Sequence, residues 1–400
     1  MTATLITGIA ELTTNEAEYG KLTDAAVVLE GDRIRWIGPA ADAGPVDARV
    51  DVKGRAVLPG WVDSHTHLVF AGDRTAEFEA RMAGQAYSAG GINVTVDATR
   101  EAADDELRAT LRRLVREARA QGTTYLETKT GYGLTVADEA RSARIAAEFA
   151  DEVTFLGAHI VPRGQDADAY LAEVTGPMLD AVADGVRWVD VFCEAGAFDG
   201  EQSERVLRAA AERGLGLRVH GNQLGEGPGV RLAVRFGAAS VDHCAYLTDE
   251  DVAALAGSWD GSADTADTVG TVGTVATVLP ACDVSTRQPL APARRLLDAG
   301  AVVAIATNAN PGSSYTTSMA YCVATAVLQM GLSVEEAVWA ATRGGAKALR
   351  ADTGDGAVGV IRPGARADLH VLDAPSATHL AYRPGVPLTW AVWRAGRREA

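Results

Sequence analysis

Seven histidines occur in this chain, and five of them (His65, His67, His159, His220 and His243) close short apolar runs. The sharpest of these is "HTH" at 65–67. Residues two apart on an extended chain point the same way, so both imidazoles can reach one ion while Thr66 faces the other side. An H-x-H pair alone is weak, because short histidine pairs arise by chance. Here Asp63 lies just upstream, and His220 closes another apolar run. Three neutral imidazoles suit zinc or ferrous iron and leave room for a carboxylate and a water. Such an ion would bring the pKa of water toward neutrality. A further group must then carry the proton to a leaving nitrogen. His243 in "DHC" is the candidate, with Asp242 as its orienting partner.

The elements that must position these side chains follow a regular rhythm. From residue 57, apolar runs such as "AVLPGWVDSHTHL", "TTYLETKTGYG", "EVTFLGAHIVP", "VRWVDVFCE" and "VVAIATNANPG" alternate with amphipathic stretches such as "DDELRATLRRLVREARAQ". Eight such runs predict a (β/α)8 TIM-like barrel, in which catalytic groups collect at the C-terminal ends of the strands. The histidines fall at the ends of predicted strands 1, 3, 5 and 6. Both termini read differently. "AAVVLEGDRIRWIG" is a hairpin signal, and "ADLHVLD" and "PLTWAVWRAG" look like short strands. The expectation is a small β-sandwich domain built from residues 1–56 and 352–400, beside a barrel over 57–351. The polar, glycine-rich stretch 257–276 reads as a loop insertion before the seventh strand.

Composition excludes some partners. Lys and Arg total 37 against 53 Asp and Glu, a formal charge of -16, and such a surface repels phosphate backbones and anionic lipid. No nucleic acid and no membrane surface is expected. The first basic residue is Lys21, which argues against a secretory signal and for a cytoplasmic protein. The four cysteines (Cys193, Cys244, Cys282 and Cys322) are far apart and read as buried thiols.

The stretches "DSHTHLVFAGDR", "FEARMAGQAY", "LETKTGYGL", "FLGAHIVP", "DVFCEAGAF", "RVHGNQL", "VDHCAYL", "STRQPL", "NPGSSYTTSM" and "DAPSATHLAYRPGVPL" run almost end to end. In these the chain resembles the imidazolonepropionases, a family within the amidohydrolase superfamily. The resemblance implies hydrolysis of the ring of 4-imidazolone-5-propanoate to N-formimino-L-glutamate in histidine degradation. It also implies a homodimer and one zinc or iron ion. By position it implies His65, His67 and His220 as metal ligands and His243 beside the attacked carbonyl. It further implies Arg74, Tyr87, Tyr132 and His159 as substrate contacts. An arginine fork suits the substrate's propionate, and the turn at Asn310, Gly312 and Ser313 can add donors around an anion. Gln223 falls where the family shows Glu or Gln.

One position departs from the pattern. The family motif after strand 8 is Thr-Asp-x-Asn-Pro-Gly, and here it reads "TNANPG", with Asn308 in place of Asp. An aspartate there serves as anionic metal ligand and as proton acceptor. Asparagine can offer its amide oxygen but is a very poor base. Three readings stay open: an imidazolonepropionase attenuated by an Asp-to-Asn exchange, a divergent relative acting on another cyclic amide, and a non-catalytic protein that binds an imidazolone.

Overall fold

The computed structural model describes residues 2–84, 91–259 and 273–399. Eight strands form one sheet in sequential order: Trp61–Asp63, Thr123–Lys129, Glu152–Ala158, Trp188–Cys193, Gly216–Gly221, Ser240–His243, Val275–Val278 and Val303–Ile305. From Thr123–Lys129 to Val303–Ile305 neighbouring strands pair parallel; His220, for example, lies opposite Asp242 and Gly221 opposite His243. The ring is joined just past its first and last strands. Asn308 N–H donates to the carbonyl of His65 at 3.0 Å, and His67 N–H donates to that of Ala309 at 2.9 Å. This is the expected (β/α)8 barrel. Strands covered on both faces need apolar side chains throughout, and Trp188–Cys193 and Glu152–Ala158 are buried along their whole lengths.

Helices alternate with the strands, and local chemistry sets where they begin. Asp199 and Gln202 form a reciprocal capping box at the start of the helix Gly200–Glu212, and Thr248 and Asp251 do the same for Asp249–Gly257. Each satisfies backbone donors that the first helical turn leaves open.

The terminal segments form a second, mixed sheet. Its order is Arg397–Arg398, Thr389–Arg394, Leu369–Leu372, Ala48–Pro59, Ala3–Thr13, Ala25–Glu30 and Arg33–Pro39, with Lys21–Leu22 added beside Ala3–Thr13. The predicted hairpin is present, with Val27 opposite Ile37. Ile6, Ile9, Leu12, Val27, Val57, Val371 and Trp393 share its core.

By backbone proximity the chain divides into two compact units, residues 1–64, 116–125 and 318–400 in one and 65–115 and 126–317 in the other. Residues 260–272, most of the predicted insertion, lie outside the described residues, as does Tyr87. The ends of that stretch are regular: Gly257 closes a helix, and Val275 and Ala276 already belong to the seventh strand. No helix among the described residues is long and apolar enough to cross a membrane.

Candidate metal centre and pocket

His65 and His67 follow the first strand, and His220 and His243 stand at the ends of the fifth and sixth. The Nε2 of His67 lies 3.2 Å from that of His65 and 3.3 Å from that of His220. Nitrogens each held about 2.0–2.1 Å from one tetrahedral ion would stand about 3.3 Å apart. His243 joins the same group, with ligand atoms of His65, His220 and His243 all within 4.8 Å of one another. Thr66, between the two histidines, turns away, and its hydroxyl donates to the carbonyl of Glu127 at 2.6 Å.

The far sides of two rings meet carboxylates. His65 Nδ1 lies 2.7 Å from Asp242 Oδ2, and His220 Nδ1 lies 3.0 Å from Asp190 Oδ2. A carboxylate only accepts, so the His65 Nδ1 carries the proton and its Nε2 lone pair faces inward. Burial, then Lys129, lowers the pKa of His65, and burial, then His65 and His220, lowers that of His67. Converging buried lone pairs repel unless a cation lies between them. The residues present therefore fit a divalent metal.

Asp242 thus serves His65, whereas the sequence pointed to His243. Successive strand residues face opposite ways, so Asp242 points into the barrel while His243 faces the rim. The Nδ1 of His243 is buried, with no hydrogen-bond partner among the described residues. Burial, followed by His220 and His65, pushes its pKa well below the usual value, so the ring is neutral.

Beneath the imidazoles lies a charged layer that sequence reasoning did not find. Lys129 is fully buried, with Nζ 2.9 Å from Glu127 Oε1 and 3.0 Å from Asp190 Oδ2. Arg218 is fully buried too, with Nη2 3.0 Å from Asp242 Oδ2. Burial pushes Asp190 and Asp242 upward, but His220 and Lys129 outweigh it at Asp190, and Arg218 and His65 at Asp242, holding both below the usual carboxylate range. Buried ions persist only when paired in this way. The available signal was charge inside strands that should be apolar: Asp190 in "WVDVF", Arg218 in "LRV" and Lys129 in "LETK".

One cavity is lined by His67, Arg74, Tyr132, His159, His220, Gln223, His243, Asn308, Asn310 and Ser313, together with Ile92 and Phe192, which the sequence had not singled out. His65 lies deeper, with no exposure. His159 Nδ1 donates to the carbonyl of Gly131 at 2.8 Å, which leaves its Nε2 as an acceptor. Burial lowers its pKa to about 4, and the ring stacks on His67 with centroids 5.6 Å apart. The backbone N–H of Gln223 donates to the carboxylate of Glu194.

Arg74 is buried, but part of its fork is already engaged. Nε and Nη2 bind Glu77 at 2.8 and 2.7 Å. Gly312 lies so close that an added Cβ would meet Arg74 Nη1 at 2.0 Å. Asn310 Oδ1 accepts the backbone N–H groups of Gly312 and Ser313, each at 2.8 Å, and this fixes the turn.

Asn308 has a left-handed backbone (φ +50°), a conformation asparagine and aspartate tolerate better than other side chains. Its side chain is buried, and Oδ1 has no hydrogen-bond partner among the described residues. An unpartnered buried carbonyl oxygen is costly, and in this cavity it is free to serve as a neutral donor to a cation.

A barrel with imidazoles on its C-terminal rim defines a class, and the amidohydrolase family pattern matches residues 56–390. Over nearly the full length of both chains, this one is 69% identical to an imidazolonepropionase of Saccharopolyspora erythraea (100% of this chain, 99% of the relative). It is 67% identical to an imidazolonepropionase of Paenarthrobacter aurescens (99% and 98%). The chain belongs to the imidazolonepropionase family of amidohydrolases. Solved structures share the fold at much lower identity. A triazine hydrolase variant superposes with a TM-score of 0.75 at 20% identity, covering 99% of this chain and 94% of that one. A zinc-bound adenosine deaminase from Xanthomonas campestris superposes with a TM-score of 0.72 at 20% identity, covering 99% and 92%.

Proposed function

We propose that this chain hydrolyses the ring of 4-imidazolone-5-propanoate to N-formimino-L-glutamate, the step of histidine degradation that its family name denotes. In this reading His65, His67 and His220, with the amide oxygen of Asn308, hold one zinc or iron ion. That ion supplies Lewis acidity and activation of water near neutral pH. His243, neutral and beside the ligand group, moves the proton. Water adds to the ring carbonyl carbon, the carbon–nitrogen bond breaks, and the released nitrogen takes a proton from His243. Arg74 holds the propionate with its remaining N–H groups, while the Nε2 of His159 accepts a ring N–H. Tyr132, Gln223 and the turn at Asn310, Gly312 and Ser313 complete the enclosure, and the family likeness adds Tyr87 as a substrate contact. A homodimer and a cytoplasmic location belong to the same reading, on the strength of the family likeness.

The observation that carries the reading is the convergence of three Nε2 atoms and the unpartnered Asn308 Oδ1 on the cavity that Arg74 also lines. Asn308 also favours a second reading, a different cyclic amide as substrate, because the site lacks the aspartate that would take the water proton. Incubation of the metal-loaded protein with fresh imidazolone propionate, with mass-spectrometric detection of N-formimino-L-glutamate, tests the first. Absence of product both here and after Asn308→Asp, at full metal occupancy, favours the second.

A further inference from the structure

A second group of ligating atoms lies beside the first. His243, Cys282 and Asp283 are buried, and one ligand atom from each lies within 4.8 Å of the others. The topology accounts for the meeting. His243 ends the sixth strand, and Cys282 and Asp283 begin the helix Pro280–Thr286 directly after the seventh, its parallel neighbour.

Several features set these residues apart from ordinary packing. The His243 Nδ1 is buried without a hydrogen-bond partner among the described residues. His243 and Cys244 both have left-handed backbones, φ +86° and +56°. For side chains of these types such strain persists where the surroundings over-determine a site. Asp283 accepts a backbone N–H from Ala291 at 3.1 Å, which leaves acceptor capacity on a fully buried carboxylate.

We propose that His243, Cys282 and Asp283 form a second, weaker site for a thiophilic divalent cation such as zinc, and that filling it withdraws His243 from catalysis. Imidazole, thiolate and carboxylate are the protein donors zinc accepts, and a thiolate disfavours magnesium or calcium. On binding, the Cys282 S–H bond breaks, a sulfur–metal bond forms and the proton leaves to water. Because that proton must be lost and the side chains must draw together, the site fills only after the first. An inhibitory excess of the metal would then occupy the histidine that moves the proton beside the resident ion.

The test uses protein carrying one equivalent of zinc, to which cobalt(II) is added. A sulfur-to-cobalt charge-transfer absorption should rise with the second equivalent, since none of the proposed ligands of the first site is a thiol. Cys282→Ala should abolish it, and Asp283→Asn should weaken cobalt binding about tenfold or more. The melting temperature of each variant reports whether it is folded. If Cys282→Ala does not fold, Asp283→Asn alone decides. Excess zinc should also slow turnover of the parent protein more than that of Cys282→Ala. A parent protein with no such band, a band that survives loss of Cys282, or unchanged binding in Asp283→Asn would overturn the proposal. The absorption does not depend on which cyclic amide is hydrolysed, so it fails or succeeds separately from the proposed activity.

Discussion

Asp242 holds His65 across the barrel interior: its Oδ2 lies 2.7 Å from the His65 Nδ1 and 3.0 Å from the Arg218 guanidinium. Asp190 stands to His220 and Lys129 in the same way, at 3.0 Å from each. Asp242 thus fixes the tautomer of His65, Asp190 lies against His220, and each carboxylate is kept ionised by a buried cation. Replacing Asp242 or Asp190 with Asn keeps the shape and removes the charge. Each change should weaken metal binding about 10- to 100-fold, measured by competition with a chelator. An unchanged affinity in both variants would remove these residues from the metal account.

Arg74 meets Glu77 through Nε and one Nη2 hydrogen, so three N–H groups remain for a ligand. Lysine cannot reproduce two forks at once. Arg74→Lys should raise KM roughly 10- to 100-fold, the equivalent of a charged hydrogen bond worth about 1.5–3 kcal/mol, with much less effect on kcat. The amide of the substrate's propionate should lose the difference. Equal falls in kcat and kcat/KM for acid and amide would contradict carboxylate binding by Arg74.

His370 offers a pH test away from the cavity. It is buried, its Nε2 lies 2.9 Å from Thr389 Oγ1, and burial lowers its pKa to about 3. An unfolded histidine takes up its proton near pH 6.5, whereas the folded one resists until about 3. The stability it lends is complete above about pH 6.5 and is lost as pH falls toward its folded value. His159, lowered to about 4, acts in the same direction. His370→Phe should cost about 1 kcal/mol at neutral pH through the lost hydrogen bond. It should also flatten the fall in denaturation midpoint on acidification of the metal-free protein. A fall as steep as the parent's would assign the acid sensitivity elsewhere.

The barrel and its rim were legible because they depend on local pattern: apolar runs of strand length, amphipathic spacers, and a two-residue spacing in His65 and His67. The turn at Asn310, Gly312 and Ser313 was marked by its own "NANPG" chemistry, whereas the left-handed backbone of Asn308 was not read from it. The charged floor was not legible. Glu127 and Lys129 share one strand, Asp190 lies on a second and Arg218 on a third, and Lys129, Asp190 and Arg218 are each tolerable inside because another strand supplies a counter-charge. Pairing of that kind depends on register around the ring, which a linear reading does not contain. Asp242 shows the same limit, because adjacency in "DHC" suggested service to His243 while strand alternation sends the carboxylate to His65.

Asn308 is where the chain's own chemistry is decided. Asp is isosteric there and tolerates the same backbone, so Asn308→Asp changes charge and basicity with little change of shape. The most direct measurement is the initial rate of imidazolone propionate hydrolysis by the parent chain and by Asn308→Asp, at equal measured metal occupancy. The account predicts a rise of about a hundredfold or more, within the 10²–10⁴ range of a positioned proton acceptor. Similar rates in the two proteins would contradict the role assigned to position 308 and leave His243 to take the water proton by itself.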